Sequence, residues 1–136
     1  EQLPAYYGLA ACLLLPSLSE TWGLVVNEAM AAGLPVLVSH RCGCVPELVR
    51  SGFNGYVCDP LDIEGMARSM TVVSSAAVDL DAMGLASRQL VASYTPETWA
   101  QGLADCIEQT ASRIQKPAVE NSSRRAEFFK AEKQLG

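Results

Sequence analysis

Residues 16–39 read PSLSETWGLVVNEAMAAGLPVLVS, and the order of elements within that stretch decides the fold. Just upstream, Cys12-Leu13-Leu14-Leu15 is a short apolar run stopped by Pro16, the pattern of a strand buried in a parallel sheet. Ser17–Trp22 is a polar turn. Gly23–Ala32 carries apolar residues at helical spacing, and Gly33 supplies a C-terminal stop. Pro35–Ser39 is a second buried strand. Strand, loop, helix and strand in this order form a βαβ unit, which predicts a parallel sheet covered by helices.

The flanks continue the pattern. Leu3–Ala11 has helical spacing with Pro4 in its first turn. After the loop His40–Val45, Pro46–Arg50 predicts a short helix, Phe53–Gly55 a turn and Tyr56–Cys58 a third strand. Asp62 is placed to cap a helix over Ile63–Ser74. No strand pattern remains beyond residue 75: Val78–Ser93 and Pro96–Thr110 both read as helices, the second opened by Thr95, Pro96 and Glu97. Val119–Gly136 is polar and charged, a surface helix or a frayed end, with partial disorder the expectation.

The chain has 136 residues, 49% of them hydrophobic and 18% charged, which excludes an intrinsically disordered class and suits one domain's worth of core. The longest apolar run, Leu9–Leu15, is far short of the ~20 residues a membrane span needs. A net charge of −5 argues against nucleic acid as partner. That charge is uneven. Residues 113–136 hold six bases (Arg113, Lys116, Arg124, Arg125, Lys130, Lys133) against three acids (Glu120, Glu127, Glu132), a tail of +3 on a body of −8. Five cysteines without a scaffold spacing, and a single histidine, His40, predict structural thiols, no metal site and a reducing cytoplasm.

Any chemistry belongs to the turn and helix after the first strand, because ligands of open parallel sheets bind beyond the carboxyl ends of strands. A helix starting near Gly23 offers unpaired N–H groups and positive dipole charge to an anion, and Gly23 lets that anion approach the backbone. Glu20, at the loop tip, is placed to accept hydrogen bonds from hydroxyls. Glu28 can share the ligand-side face of the helix while Val25, Val26, Ala29 and Met30 serve the core. On spacing alone the plainer reading leads, with Glu20 an acid near a helix dipole and Glu28 a solvated helix residue.

The longer string changes that balance. ETWGLVVNEAMAAGLPVLVS resembles the donor-binding signature E-x7-E, helix, G-x-P-V of retaining glycosyltransferases with the GT-B fold, family 4 in particular, with Glu20 and Glu28 at its two acidic positions. Cys42-Gly43-Cys44-Val45-Pro46-Glu47 is similar to the family's G-G-x-P-E loop, Ser51–Val57 to its D-G-x-N-G-x-[LV] turn, and Asp59–Asp62 to its P-x-D helix entry. The resemblance covers residues 3–112 in order. It implies an α/β, Rossmann-like parallel sheet with flanking helices and a helical C-terminus: residues 1–112 as part of the C-terminal nucleotide-sugar domain, 113–136 as a charged tail.

It also implies roles. Glu20 is the sugar-binding carboxylate of the catalytic centre, and is not assigned as a nucleophile. The backbone N–H groups of Trp22, Gly23 and Leu24 face the sugar and diphosphate, Leu24 and Val25 begin the helix whose dipole favours the leaving diphosphate, and Glu28 takes the ribose hydroxyls. Gly43 is the retained glycine of the G-G pair, the second being Cys44 here, and Trp22 stands where phenylalanine is common. No cofactor or metal is implied beyond the nucleoside-diphosphate sugar as donor. The acceptor, a sugar or lipid-linked glycan, belongs to an N-terminal domain missing from this sequence, and the Arg and Lys that neutralise the diphosphate belong to the opening strands of the nucleotide-sugar domain, missing likewise. The chain alone is therefore expected to lack turnover, and its first strand to offer an edge that a longer protein covers.

The basic tail suits a solvated end first, a brace on the N-terminal domain or peripheral contact with an anionic membrane second. A stand-alone module that binds a nucleotide or a partner protein without catalysis is the alternative function. A flavodoxin-like regulatory domain fits less well, because no acidic strand end precedes residue 12.

Overall fold

A computed structural model describes residues 2–115, and the predicted surface helix or frayed end at 119–136 lies outside the described residues. The chain forms two compact units, one ending at Tyr94 and one beginning at Thr95.

The first unit is built around a parallel sheet of three strands in the order β1-β2-β3: β1 (Leu13–Leu15), β2 (Val36–Ser39) and β3 (Gly55–Cys58). Leu13 is in register with Val36, and Val36 with Gly55. The apolar run of β2 is the centre of the sheet, with all four residues buried. Burying each of Val36, Leu37 and Val38 is worth about 1.5–3 kcal/mol, as suits a central parallel strand covered on both faces. Among the described residues β1 is an edge strand, paired on one side with β2, and Leu14 on it is exposed.

Helix α1 (Leu3–Leu9) precedes β1, and α2 (Leu24–Ala31) crosses from β1 to β2. In α2 the buried residues Val26, Ala29 and Met30 recur three and four apart, with Val25 half-buried beside them, so the predicted core face is the observed one. Helix α3 (Val45–Leu48) is one turn that buries Leu48; α4 (Ile63–Val73) and α5 (Leu80–Val91) complete the unit. Asp62 caps α4 by accepting from the Gly65 N–H at 2.9 Å, as the sequence predicts. Helix α5 starts two residues later than its apolar pattern suggests, because Asp79 takes the cap position and accepts from the Ala82 N–H. It packs on α2 and α3, and the Arg88 guanidinium donates to the Ala32 carbonyl at the end of α2.

The turn before β3 is held from inside. Asn54 is fully buried; its side chain accepts from the Arg50 N–H (2.8 Å) and donates to the Leu48 carbonyl (2.9 Å), locking the end of α3 to the sheet. Its own carbonyl receives the Val36 N–H. The strand begins one residue earlier than its side chains suggest, at Gly55, because there the backbone lies too close to Val36 for any side chain.

The second unit contributes α6 (Pro96–Gln115). Thr95 caps it, its hydroxyl accepting from the Thr98 N–H while the Thr98 hydroxyl accepts from the Thr95 N–H. Among the described residues no helix is long and apolar enough to cross a membrane.

Candidate functional site

All three strands are parallel, so their carboxyl ends lie at one edge of the sheet, and so do the loops 16–23 and 40–44. The two loops are joined by backbone. The Gly43 N–H donates to the Glu20 carbonyl (3.0 Å) and the Cys44 N–H to the Trp22 carbonyl (3.1 Å), with Glu20 and Cys42 paired as a short parallel bridge. Gly43 is required by space rather than by conformation: a methyl there would overlap the Thr21 carbonyl oxygen and stand 3.0 Å from its carbon. The residue after it needs no such room. Cys44 has a right-handed backbone and a fully buried side chain, so cysteine in place of the second glycine costs the loop neither conformation nor approach.

Gly23 is the N-cap of α2 and adopts φ 99°, ψ 63°, the left-handed region that side chains avoid. This sharp turn points the first N–H groups of α2 out of the loop. Among the described residues, no backbone bond takes up the N–H of Trp22, Gly23, Leu24 or Val25, while the Val26 N–H closes on the Gly23 carbonyl (2.8 Å). Four unsatisfied donors at a helix N-terminus form a positive, hydrogen-bonding cradle of the kind that holds phosphate or carboxylate oxygens.

Glu20 is half-buried at the mouth of this cradle. Glu28 is exposed four residues after Leu24, about 6 Å along the helix axis and on the same face. The structure therefore brings Glu20, Trp22, Gly23 and Gly43 together in two joined loops, with Leu24 and Val25 opening α2 beside them and Glu28 one turn further along. The Trp22 ring is not open to the cradle. Its Nε1–H donates to Asn27 Oδ1 (2.9 Å), and it lies 6.4 Å from the Tyr94 ring at a tilt of 41°. Its side chain is thus engaged with Asn27 and Tyr94, and its backbone N–H is the donor it leaves at the loop.

Two contacts here carry no local sequence signal. The Tyr7 hydroxyl, from α1, donates to Glu28 Oε2 at 2.8 Å, across 21 residues of sequence. Burial first, then the Glu28 hydrogen bond and charge, hold the Tyr7 phenol above its ordinary pKa, so it stays a donor at neutral pH. The Tyr94 hydroxyl likewise donates to Glu47 Oε2 at 3.4 Å. His40 is exposed and turned to the backbone, its Nδ1 lying 3.3 Å from the Cys58 carbonyl.

Beneath the loops sit three buried thiols. Burial raises Cys42 and Cys58, and pushes Cys44 up to about 11 with the neighbouring Cys42 adding to the shift; the Glu20 charge raises Cys42 and Cys44 further. All five cysteines are free. Among the described residues no group of three or more His, Cys, Asp or Glu side chains is arranged to hold a metal ion.

Comparison with known proteins gives the family and the fold. A family model described as "Glycosyl transferases group 1" matches residues 1–89. The chain is 34% identical over 105 residues to a D-inositol 3-phosphate glycosyltransferase of Streptomyces griseus, covering 77% of this chain and 22% of that protein. It is 32% identical over 97 residues to a sulfoquinovosyl transferase of Arabidopsis thaliana, covering 69% and 19%. The fold superposes on sucrose-phosphate synthase from Thermosynechococcus elongatus with a TM-score of 0.68 and 26% identity, over 79% of this chain and 27% of that one. The chain thus spans about a fifth of the length of the curated relatives it matches.

Proposed function

The chain belongs to the group 1 glycosyl transferases, with a GT-B-type, Rossmann-like α/β fold of the retaining family 4 kind, and from that premise we propose that it is the donor-binding part of a longer sugar-transferring enzyme. Residues 1–112 are part of its C-terminal nucleotide-sugar domain, and 113–136 a charged tail. The observation that carries the reading is the cradle of free N–H groups at Trp22–Val25, with Glu20 in the loop before it and Glu28 one turn into α2 after it. It supports a ligand with an anionic centre between two sets of hydroxyls, and a nucleoside-diphosphate sugar is such a ligand.

Each residue then has a task. The N–H groups of Trp22, Gly23, Leu24 and Val25 receive the diphosphate oxygens, whose charge grows as the glycosidic bond breaks, so their stabilisation is larger in the transition state than in the bound donor. Glu20 accepts from hydroxyls of the transferred sugar and fixes its orientation. Glu28 accepts from the ribose hydroxyls and anchors the other end. Gly43 holds the loop of Glu20 and Trp22 in place through the backbone bonds that join the two loops. Attack by an acceptor hydroxyl, from a sugar or lipid-linked glycan, takes place in the longer protein, which also supplies the cations for the diphosphate. The five free thiols support a reducing, cytoplasmic setting.

The test is titration of the full-length protein with the four common ribonucleoside diphosphates and their sugar derivatives. Glu28→Ala is expected to weaken the free diphosphate and the sugar donor alike, and Glu20→Ala the sugar donor alone, each by about 10- to 100-fold for hydrogen bonds to a charged group. Equal effects of less than threefold from both would remove the assignment.

A further inference from the structure

Resting on that reading of Glu28, we infer that Tyr7 is a positioning residue for ribose recognition: its hydroxyl, held by α1 and donating to Glu28 Oε2, fixes the carboxylate in the orientation that receives the ribose diol.

Glu28 stands on the exposed face of α2, where three side-chain torsions are free to wander. A carboxylate that must accept two neighbouring hydroxyls gains from being ordered beforehand, since ordering on binding is subtracted from affinity. Tyr7 provides the order. It is the only residue of α1 that is not exposed, and its ring packs against the core cluster around Val26 and Met30. The hydroxyl that reaches Glu28 is therefore anchored by the fold, and a tyrosine has only two side-chain torsions to fix. With its pKa held above the ordinary value by burial and by Glu28, the phenol stays protonated at neutral pH and remains a donor.

The geometry leaves room for the ligand. An ionised carboxylate has about four acceptor positions on its two oxygens, and Tyr7 takes one on Oε2. Oε1 and the remaining position on Oε2 stay available to the two hydroxyls of a ribose. Leu3, Pro4 and Ala32 wall an open cleft of about 360 Å³ around the Tyr7–Glu28 pair.

The experiment separates positioning from mere tethering of α1. The full-length protein is titrated with UDP, GDP, ADP and CDP, and the tightest binder is compared with its 2′,3′-dideoxy analogue. Glu28→Ala is expected to abolish the preference for ribose. Tyr7→Phe, which keeps the ring and its packing, is expected to reduce that preference roughly three- to tenfold, the scale of ordering one rotamer-rich side chain. Binding of the dideoxy analogue should be unchanged, and Tyr6→Phe, exposed on the same helix, should keep the full preference. A purely structural role for Tyr7 would weaken both nucleotides equally. Loss of preference in Glu28→Ala but a full preference in Tyr7→Phe overturns the inference and leaves the donor-site reading standing. A full preference in Glu28→Ala overturns both.

Discussion

Replacing Gly43 by alanine adds one methyl group, and its consequence can be worked from the loop geometry. The new Cβ overlaps the Thr21 carbonyl oxygen. Bringing the two atoms back to ordinary contact needs a separation of the strands by about 1 Å. The two bonds that join the loops, Gly43 N–H to the Glu20 carbonyl at 3.0 Å and Cys44 N–H to the Trp22 carbonyl at 3.1 Å, would then exceed hydrogen-bonding distance. At about 0.5–1.5 kcal/mol each, the stability lost is about 1–3 kcal/mol. The larger effect falls on function. Thr21–Gly23 sets the direction of the free N–H groups, and a displacement of about 1 Å at a positioning element lowers rate by about 100-fold. Steady-state kcat/KM of the full-length protein with the proposed nucleotide-sugar donor, beside a denaturant unfolding curve, reads both numbers. Gly8→Ala is the control, because a methyl there meets nothing within 4 Å; it should leave kcat/KM unchanged and, inside α1, add about 0.5–1 kcal/mol of stability. A Gly43→Ala protein with kcat/KM within threefold of the parent would refute the claim that the two loops hold the cradle in register.

Two other predictions test the frame beneath the site. Asn54→Ala removes one buried and one part-buried hydrogen bond, to the Leu48 carbonyl and from the Arg50 N–H, so unfolding free energy should fall by about 1.5–3 kcal/mol, measured by denaturant titration. The buried Cys44 thiol, pushed up to about 11, is neutral in the folded protein where an unfolded chain already ionises. Its contribution to stability is complete below pH 9 and disappears as pH rises from 9 through 11, because there the unfolded state has released the proton that the native state retains. Unfolding midpoints of the native protein should fall across that window more steeply than those of Cys44→Ala, and equal slopes would count against a buried neutral thiol.

The elements were legible because each is a local pattern. Val36–Ser39 is too short and too continuously apolar for an amphipathic helix, and it is the buried central strand. Val26, Ala29 and Met30 recur at helical spacing and face the core. Asp62 and Thr95 precede their helices as caps and make the bonds that caps make. Boundaries moved by one or two residues where a cap or a close backbone contact decided them, as at Asp79 and Gly55. Phe53-Asn54-Gly55 was readable as a turn, but not the burial of Asn54, which depends on where α3 ends against the sheet.

At the site the division is sharper. The sequence by itself determined the βαβ order, the helix start at Gly23 and the two glutamates on either side of it, since helix dipoles, glycine permissiveness and side-chain period are properties of neighbouring residues. Only the tertiary structure decided that Gly43 must be glycine, that Trp22 is held by Asn27 and Tyr94, and that Glu28 is held by Tyr7. Each of the three depends on atoms far apart in the chain meeting within a few ångströms. Parallel strands bring such loops to one edge, and the distances at which they meet are set by packing, on which the spacing of residues along the chain carries no information.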